Sequence, residues 1–231
     1  MRPIDRGSCP TDTAGSPKVF STYQDARGDL INRLGEYCSF CEARLGSALH
    51  VEHKLPKIWH PHLERDWNNF LLACANCNTT KGSKNIILAE YYWPDQDNTA
   101  RAFIYLAGGI VNVNPNLHQS EQQQALRTLK LTGLDKTPIN NPTMSDRRWN
   151  NRREAWDIAE RSLQNLKNND TPSMRNQIVE LARAKGFWSV WMTVFRDDTD
   201  MLKRFIHAFE GTCCSCFDDQ FNLVPRPDGV L

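Results

Sequence analysis

Two Cys-x-x-Cys pairs, Cys38/Cys41 and Cys74/Cys77, bracket a polar set made of Glu52, His53 and Asn69, and Asn78 follows the last thiol by one residue. Four thiols in matched pairs suit a closed tetrahedral zinc site. The stretch between the pairs is longer than a common zinc ribbon allows, so it must itself be a folded piece. Its Glu, His and Asn side chains suit a second, open and oxygen-rich site. There a hard cation such as Mg²⁺ or Mn²⁺ can act on phosphate. A neutral imidazole can take a proton from water near pH 7, which makes His53 the candidate general base. Glu52 and Asn78 offer oxygen ligands to the cation, and Asn69 is placed to orient His53 or to brace the intervening loop.

Several other groups carry chemistry only in the right surroundings. Lys54, Lys57, Lys81 and Lys84 flank the polar set and are the candidate phosphate contacts, in competition with plain solvated surface. Arg147, Arg148, Arg152 and Arg153 form two pairs at helical spacing, expected on an exposed face laced with ion pairs to Asp146, Glu154 and Asp157. His50 reads as structural support for the site, and His60 and His62 as surface or substrate-groove residues. Cys213, Cys214 and Cys216 lack a nearby fourth ligand and read as buried or half-buried thiols. No glycine loop capable of cradling a nucleotide phosphate is present, so ATP hydrolysis by this chain is not expected.

The elements that must position these residues follow from periodicity. Ala26, Leu30, Ile31 and Leu34 predict a helix over 22–35, closed by Gly35. Residues 49–53 read as a short strand ended before Pro56, 57–66 as a loop, 67–72 as a strand or turn, and 78–84 as the opening of a helix. Residues 102–113 predict a hairpin turning at Gly108-Gly109. Beyond it the pattern is helical: 120–131 with Ala125, Leu126 and Leu129 on one side, then a long helix to about 167, capped by Ser145 or Asp146. Trp149, Trp156, Ala159, Leu163 and Leu166 are expected on its inner face. A helix opening at Thr171-Pro172 is expected next, then an aromatic core segment from Phe187 to Phe195 and an amphipathic helix over 199–209. This divides the chain into an irregular lead-in (1–21), a module carrying both sites (22–92) and a hairpin-plus-helical region (93–231), with the boundary at Trp93-Pro94-Asp95.

Composition bounds the partners. A net charge of +1 gives no global basic field, so any grip on a polyanion must come from local clustering or from an associated protein. The first residues lack the apolar core of a signal peptide, no apolar run reaches membrane-span length, and eight cysteines in such a chain point to metal ligands or reduced thiols. A cytoplasmic protein is expected.

The motif set resembles the HNH endonucleases of the ββα-metal fold, whose zinc-bearing members run Cys-x-x-Cys, Asp/Glu-His, Asn before an apolar stretch, then Cys-x-x-Cys-His/Asn. Here these are Cys38/Cys41, Glu52-His53, Asn69 before Phe70-Leu71-Leu72, and Cys74/Cys77-Asn78. The resemblance implies an α+β fold, with a zinc-clamped ββα-metal module followed by a mainly α-helical region. It also implies His53 as base, Glu52 and Asn78 as ligands of Mg²⁺ or Mn²⁺, and Asn69 as the orienting residue, all acting on nucleic acid, DNA ahead of RNA. Glu52-His53-Lys54-Leu55-Pro56-Lys57, Trp67-Asn68-Asn69 and Cys77-Asn78-Thr79-Thr80-Lys81-Gly82 further resemble the HNH subunit of Septu anti-phage systems, also found beside some retrons. That likeness implies an ABC-type ATPase partner. The competing expectation is a non-catalytic zinc module that binds nucleic acid or a partner protein.

Overall fold

The computed structural model describes residues 1–140 and 146–231. Strand β1 (His50–His53) pairs antiparallel with β2 (Phe70–Ala73), setting Glu52 opposite Leu71 and His53 opposite Phe70. All of β2 is buried, as its Phe-Leu-Leu-Ala sequence demands. Helix α2 (Ala75–Lys81) follows directly, with Cys74 at its N-cap: the Cys74 sulfur accepts the Cys77 N–H at 3.3 Å. The order β1, loop, β2, α2 is the expected strand, loop, strand, helix. The loop is not featureless, because Pro61–Leu63 closes a 3₁₀ turn within it. Ahead of this unit, a 3₁₀ turn (Tyr23–Ala26) runs into α1 (Arg27–Leu34), which ends at Gly35 as the sequence predicts.

The remainder is a short α3 (Thr99–Ala102), an antiparallel hairpin of β3 (Phe103–Leu106) and β4 (Ile110–Val113), and α4 (Gln119–Thr132). Four helices complete it: α5 (Arg148–Asn168), α6 (Pro172–Lys185), α7 (Trp188–Val194) and α8 (Thr199–Ala208). The architecture is therefore α+β, with two small sheets and a mainly helical second part. No helix among the described residues is long and apolar enough to cross a membrane. Phe187, Trp188, Trp191 and Phe195 are all buried, as helical-core residues should be. In α4, Ala125 and Leu129 are buried while Leu126 turns outward.

Helix α5 meets expectation at Ala159 and Leu166, which are buried, and departs from it elsewhere. Its buried stripe is Arg148, Arg152, Ala155, Ala159, Ser162 and Leu166, rotated away from Trp149, Trp156 and Leu163, which sit half-buried at its flank. The close approach of α5 to the hairpin turn is made at Gly109, which lies against the backbone of Trp149 and Arg153. Arg148 and Arg152 are interior rather than part of an exposed charged face. The Arg152 guanidinium donates to the Gly109 carbonyl at 2.7 Å and to the Leu134 carbonyl at 3.0 Å. The N-cap of α5 is Arg147, without a side-chain cap bond, rather than the expected Asp146, which accepts the Arg148 N–H at 3.0 Å from one residue earlier; the alternative cap, Ser145, lies outside the described residues.

The lead-in is irregular but not loose. Arg2 is buried and donates to the carbonyls of Leu34 and Glu210 at 2.8 and 2.7 Å, tying the first residues to both ends of the chain. Trp93, at the expected boundary, is buried, and apolar residues from either side of it pack in one cluster.

Close approach between α5 and the hairpin turn leads to a stability prediction. Gly109 has φ +74°, and a Cβ there would stand 2.8 Å from both the Arg153 nitrogen and the Trp149 carbonyl. Gly108 has φ +77° but open space around it. Gly109→Ala should therefore lower unfolding free energy in urea by about 2–4 kcal/mol, against about 1 kcal/mol for Gly108→Ala.

Candidate active site

The four cysteine sulfurs come together from two places. Cys38 and Cys41 lie in the turn after α1, closed by the Glu42 N–H donating to the Cys38 carbonyl at 2.9 Å; Cys74 and Cys77 lie on the first turn of α2. All four are buried and lie within 4.8 Å of one another, with the Cys41 and Cys74 sulfurs 3.7 Å apart. A tetrahedron of Zn–S bonds of about 2.3 Å has edges of about 3.8 Å, so the spacing fits zinc. Charge leads to the same conclusion. Hydrogen bonding with Cys38 and the other sulfurs pulls the Cys74 thiol far down and pushes Cys41 up, while burial pushes Cys77 up. Four thiols so placed cannot all ionise unless a cation sits among them. Arg148, on the face of α5 that was expected to be solvated, donates to the Cys77 sulfur at 2.9 Å and to the Thr132 carbonyl at 2.8 Å, and its guanidinium is held by Asp146 at 2.6 Å. It supplies positive charge just outside the thiols.

Beside this clamp, β1 carries Glu52 and His53. The His53 ring is packed edge-on against Tyr23 and Phe70, at 4.8 and 5.4 Å between centroids. Its Nε2 lies 2.9 Å from the Glu64 carbonyl oxygen. A carbonyl can only accept, so Nε2 carries the proton and Nδ1 keeps its lone pair. Burial pulls the His53 pKa below its ordinary 6.5, and nearby Lys57 and Lys81 add to this, with the Glu64 carbonyl opposing. The ring is therefore held neutral, in a fixed tautomer, at neutral pH.

Asn69 acts on the loop rather than on His53 directly. Its Oδ1 accepts the Leu55 N–H at 2.8 Å, and its Nδ2 donates to the carbonyls of Leu55 and Leu63 at 2.9 and 3.2 Å. These bonds hold the loop that delivers the Glu64 carbonyl to His53. Asn78 is half-buried on α2, one turn before Lys81 and on the same face. Lys81 is buried, and its ammonium lies 2.9 Å from the Glu52 carboxylate. Burial pushes the Glu52 pKa up and Lys81 pulls it back. The position beside Glu52 thus already accepts a positive group. Asn78 and Glu52 are the oxygen-bearing side chains on α2 and β1 that a hard divalent cation would favour.

The flanking lysines fall into two classes. Lys54 is buried and ion-paired at 2.7 Å with Asp95, which also takes Arg6 at 2.9 Å, and Lys81 is committed to Glu52. Burial places both away from a passing phosphate. Lys57 and Lys84 are exposed; Lys57 pairs with Glu64 at 2.7 Å, and Lys84 donates to the Thr80 carbonyl at 3.1 Å. His50 is exposed at the start of β1, and the His60 and His62 rings lie 6.1 Å apart in the loop. The Cys38/Cys41/Cys74/Cys77 set is the only described group of three or more possible metal ligands. Cys213 and Cys216 are buried and Cys214 is exposed.

Sequence reasoning missed three participants: Arg148, the Glu64 carbonyl and the Lys81–Glu52 pair. Only Arg148 left a trace, as the first member of a stripe that continues through Arg152, Ala155 and Ala159.

Comparison with known families adds the decisive point. Residues 36–84 match the HNH endonuclease family. No curated protein gives a significant match to the chain. The matched stretch begins just before Cys38 and ends just after Lys81, so this HNH domain contains the thiol cluster, β1, the braced loop, β2 and α2. It supports a nuclease-type function.

The thiol cluster leads to a test by metal content. The purified chain should carry about one zinc, and Cys74→Ser should lower that stoichiometry and the thermal midpoint together, because structural zinc binding is coupled to folding. Elemental analysis with a melting curve reads both.

Proposed function

We propose that this chain is a metal-dependent nuclease that hydrolyses a phosphodiester with His53 as general base. The observation that carries the reading is the His53 ring, neutral, with Nε2 committed to the Glu64 carbonyl and Nδ1 free, next to Glu52 on a zinc-clamped ββα frame. Nδ1 takes the proton from an attacking water. The Tyr23 and Phe70 contacts and the Asn69-braced loop hold the ring in position during this transfer. Glu52 and Asn78 hold the divalent cation, Mg²⁺ or Mn²⁺. When bound, that cation supplies charge stabilisation at the phosphate and at the leaving oxygen.

The finer reading places the chain in an anti-phage defence system with an ABC-type ATPase partner, DNA being the favoured substrate. Its support is the motif resemblance together with the site's sparse positive charge. With Lys54 and Lys81 tied up internally and a net charge of +1, Lys57 and Lys84 are the flanking lysines left for phosphate. Grip on the polymer then comes in part from the partner. The Lys81–Glu52 pair is the one observation that favours a non-catalytic binding module, and the same assay decides between the readings.

Cleavage of supercoiled plasmid and of bulk tRNA in Mg²⁺ or Mn²⁺ should fall by about 10²–10⁴-fold in His53→Ala, with zinc content unchanged and the protein still folded at the assay temperature. A variant that cuts as fast as wild type removes His53 from the chemistry. The rate profile carries a sign as well. Because the folded His53 pKa lies below 6.5, the base is available above that pH, and the acid limb should fall below pH 6.5. An acid limb centred above pH 7 contradicts the assignment.

A further inference from the structure

The buried pair between Lys81 and Glu52 occupies the place the proposed cation needs. Lys81 is the last residue of α2, Glu52 lies near the end of β1, the Nζ–Oε1 distance is 2.9 Å, and the two side chains are 2% and 7% exposed. A buried carboxylate needs one compensating charge, and Lys81 supplies it from within the chain. Asn78, one turn before Lys81 on the same face of α2, is a neutral amide and adds no charge. With Lys81 in place the donor set is electrically balanced; without it, the set is singly negative. A divalent ion entering beside a retained ammonium meets repulsion in a poorly solvated site.

We infer that Lys81 is an intramolecular place-holder for the divalent cation: it holds Glu52 in position in the unloaded protein, competes with the metal for that carboxylate, and must withdraw when the metal binds. Lys81 ends α2 at Gly82, and residues 82–85 beyond it are exposed, so its release requires opening only the last turn of the helix. Lys81 is thus a positioning residue that sets metal affinity. The inference rests on the reading of Glu52 as a cation ligand.

The test is calorimetric titration of Mn²⁺ into the zinc-loaded full chain, comparing wild type with Lys81→Met, Lys81→Gln and Glu52→Gln, with zinc content measured on each as the check of folding. Lys81→Gln keeps a hydrogen-bond donor for Glu52 and so serves if the Met variant fails to fold. The inference predicts that both Lys81 variants bind Mn²⁺ at least about tenfold more tightly than wild type and that Glu52→Gln abolishes binding. Equal or weaker binding in the Lys81 variants, with binding in wild type intact, overturns the place-holder role and leaves the Glu52 ligand assignment standing. No Mn²⁺ uptake by wild type or by either Lys81 variant removes the cation site itself, and the inference with it.

Discussion

Buried negative charge, and the positive groups that must meet it, organise this molecule. The sulfur cluster is the largest case: four buried sulfurs within 4.8 Å of one another are spaced for a zinc ion, and Arg148 stands against one of them. Asp95 is met by Lys54 and Arg6, and Glu52 by Lys81. Glu42, next to a zinc-ligand candidate, accepts N–H and O–H groups from Arg2 and Ser189 at 2.6–2.8 Å. Each of these contacts joins parts of the chain far apart in sequence. An unpaired buried charge costs several kcal/mol, so the pairing fixes how the elements sit against one another.

This constraint explains why the helical region is not a detachable tail. Arg148 reaches from α5 to Cys77, and Ser189 at the start of α7 closes on Glu42. The thiol cluster therefore anchors β1, β2 and α2 on one side and the helices on the other. With the frame held there, an imidazole nitrogen can stay free at the polar site, where Glu52 and Lys81 form their own buried pair. The two sites differ in kind: four soft ligands close one, and hard oxygen donors are proposed for the other.

Residue spacing carried a good deal of this. Paired cysteines, the Gly108-Gly109 turn, the Thr171-Pro172 helix start and the Phe187–Phe195 core are local patterns with local causes, and each appears in the structure as expected. What spacing could not convey was partnership. The group that fixes His53 is a main-chain carbonyl eleven residues away, which has no side chain to announce it. Arg148 and Lys81 read as surface because long cationic side chains usually are, and only the sulfur and carboxylate they meet make them interior. On α5 the tryptophans suggest the inner face, and Ala159 and Leu166 do lie there, but the buried stripe is completed by Arg148, Arg152, Ala155 and Ser162. The parts that sequence misread are thus the buried charges, where tertiary contacts override local preference.

In the proposed mechanism two metal sites of different chemistry serve one reaction, a permanent zinc clamp and an exchangeable cation at Glu52. The decisive experiment is brief EDTA treatment, followed by paired measurement of retained zinc and of plasmid cleavage before and after Mg²⁺ is restored. Zinc should stay with the protein, cleavage should disappear, and Mg²⁺ alone should bring it back. Cleavage that survives with only zinc bound, or that is lost and regained strictly with zinc, contradicts this mechanism.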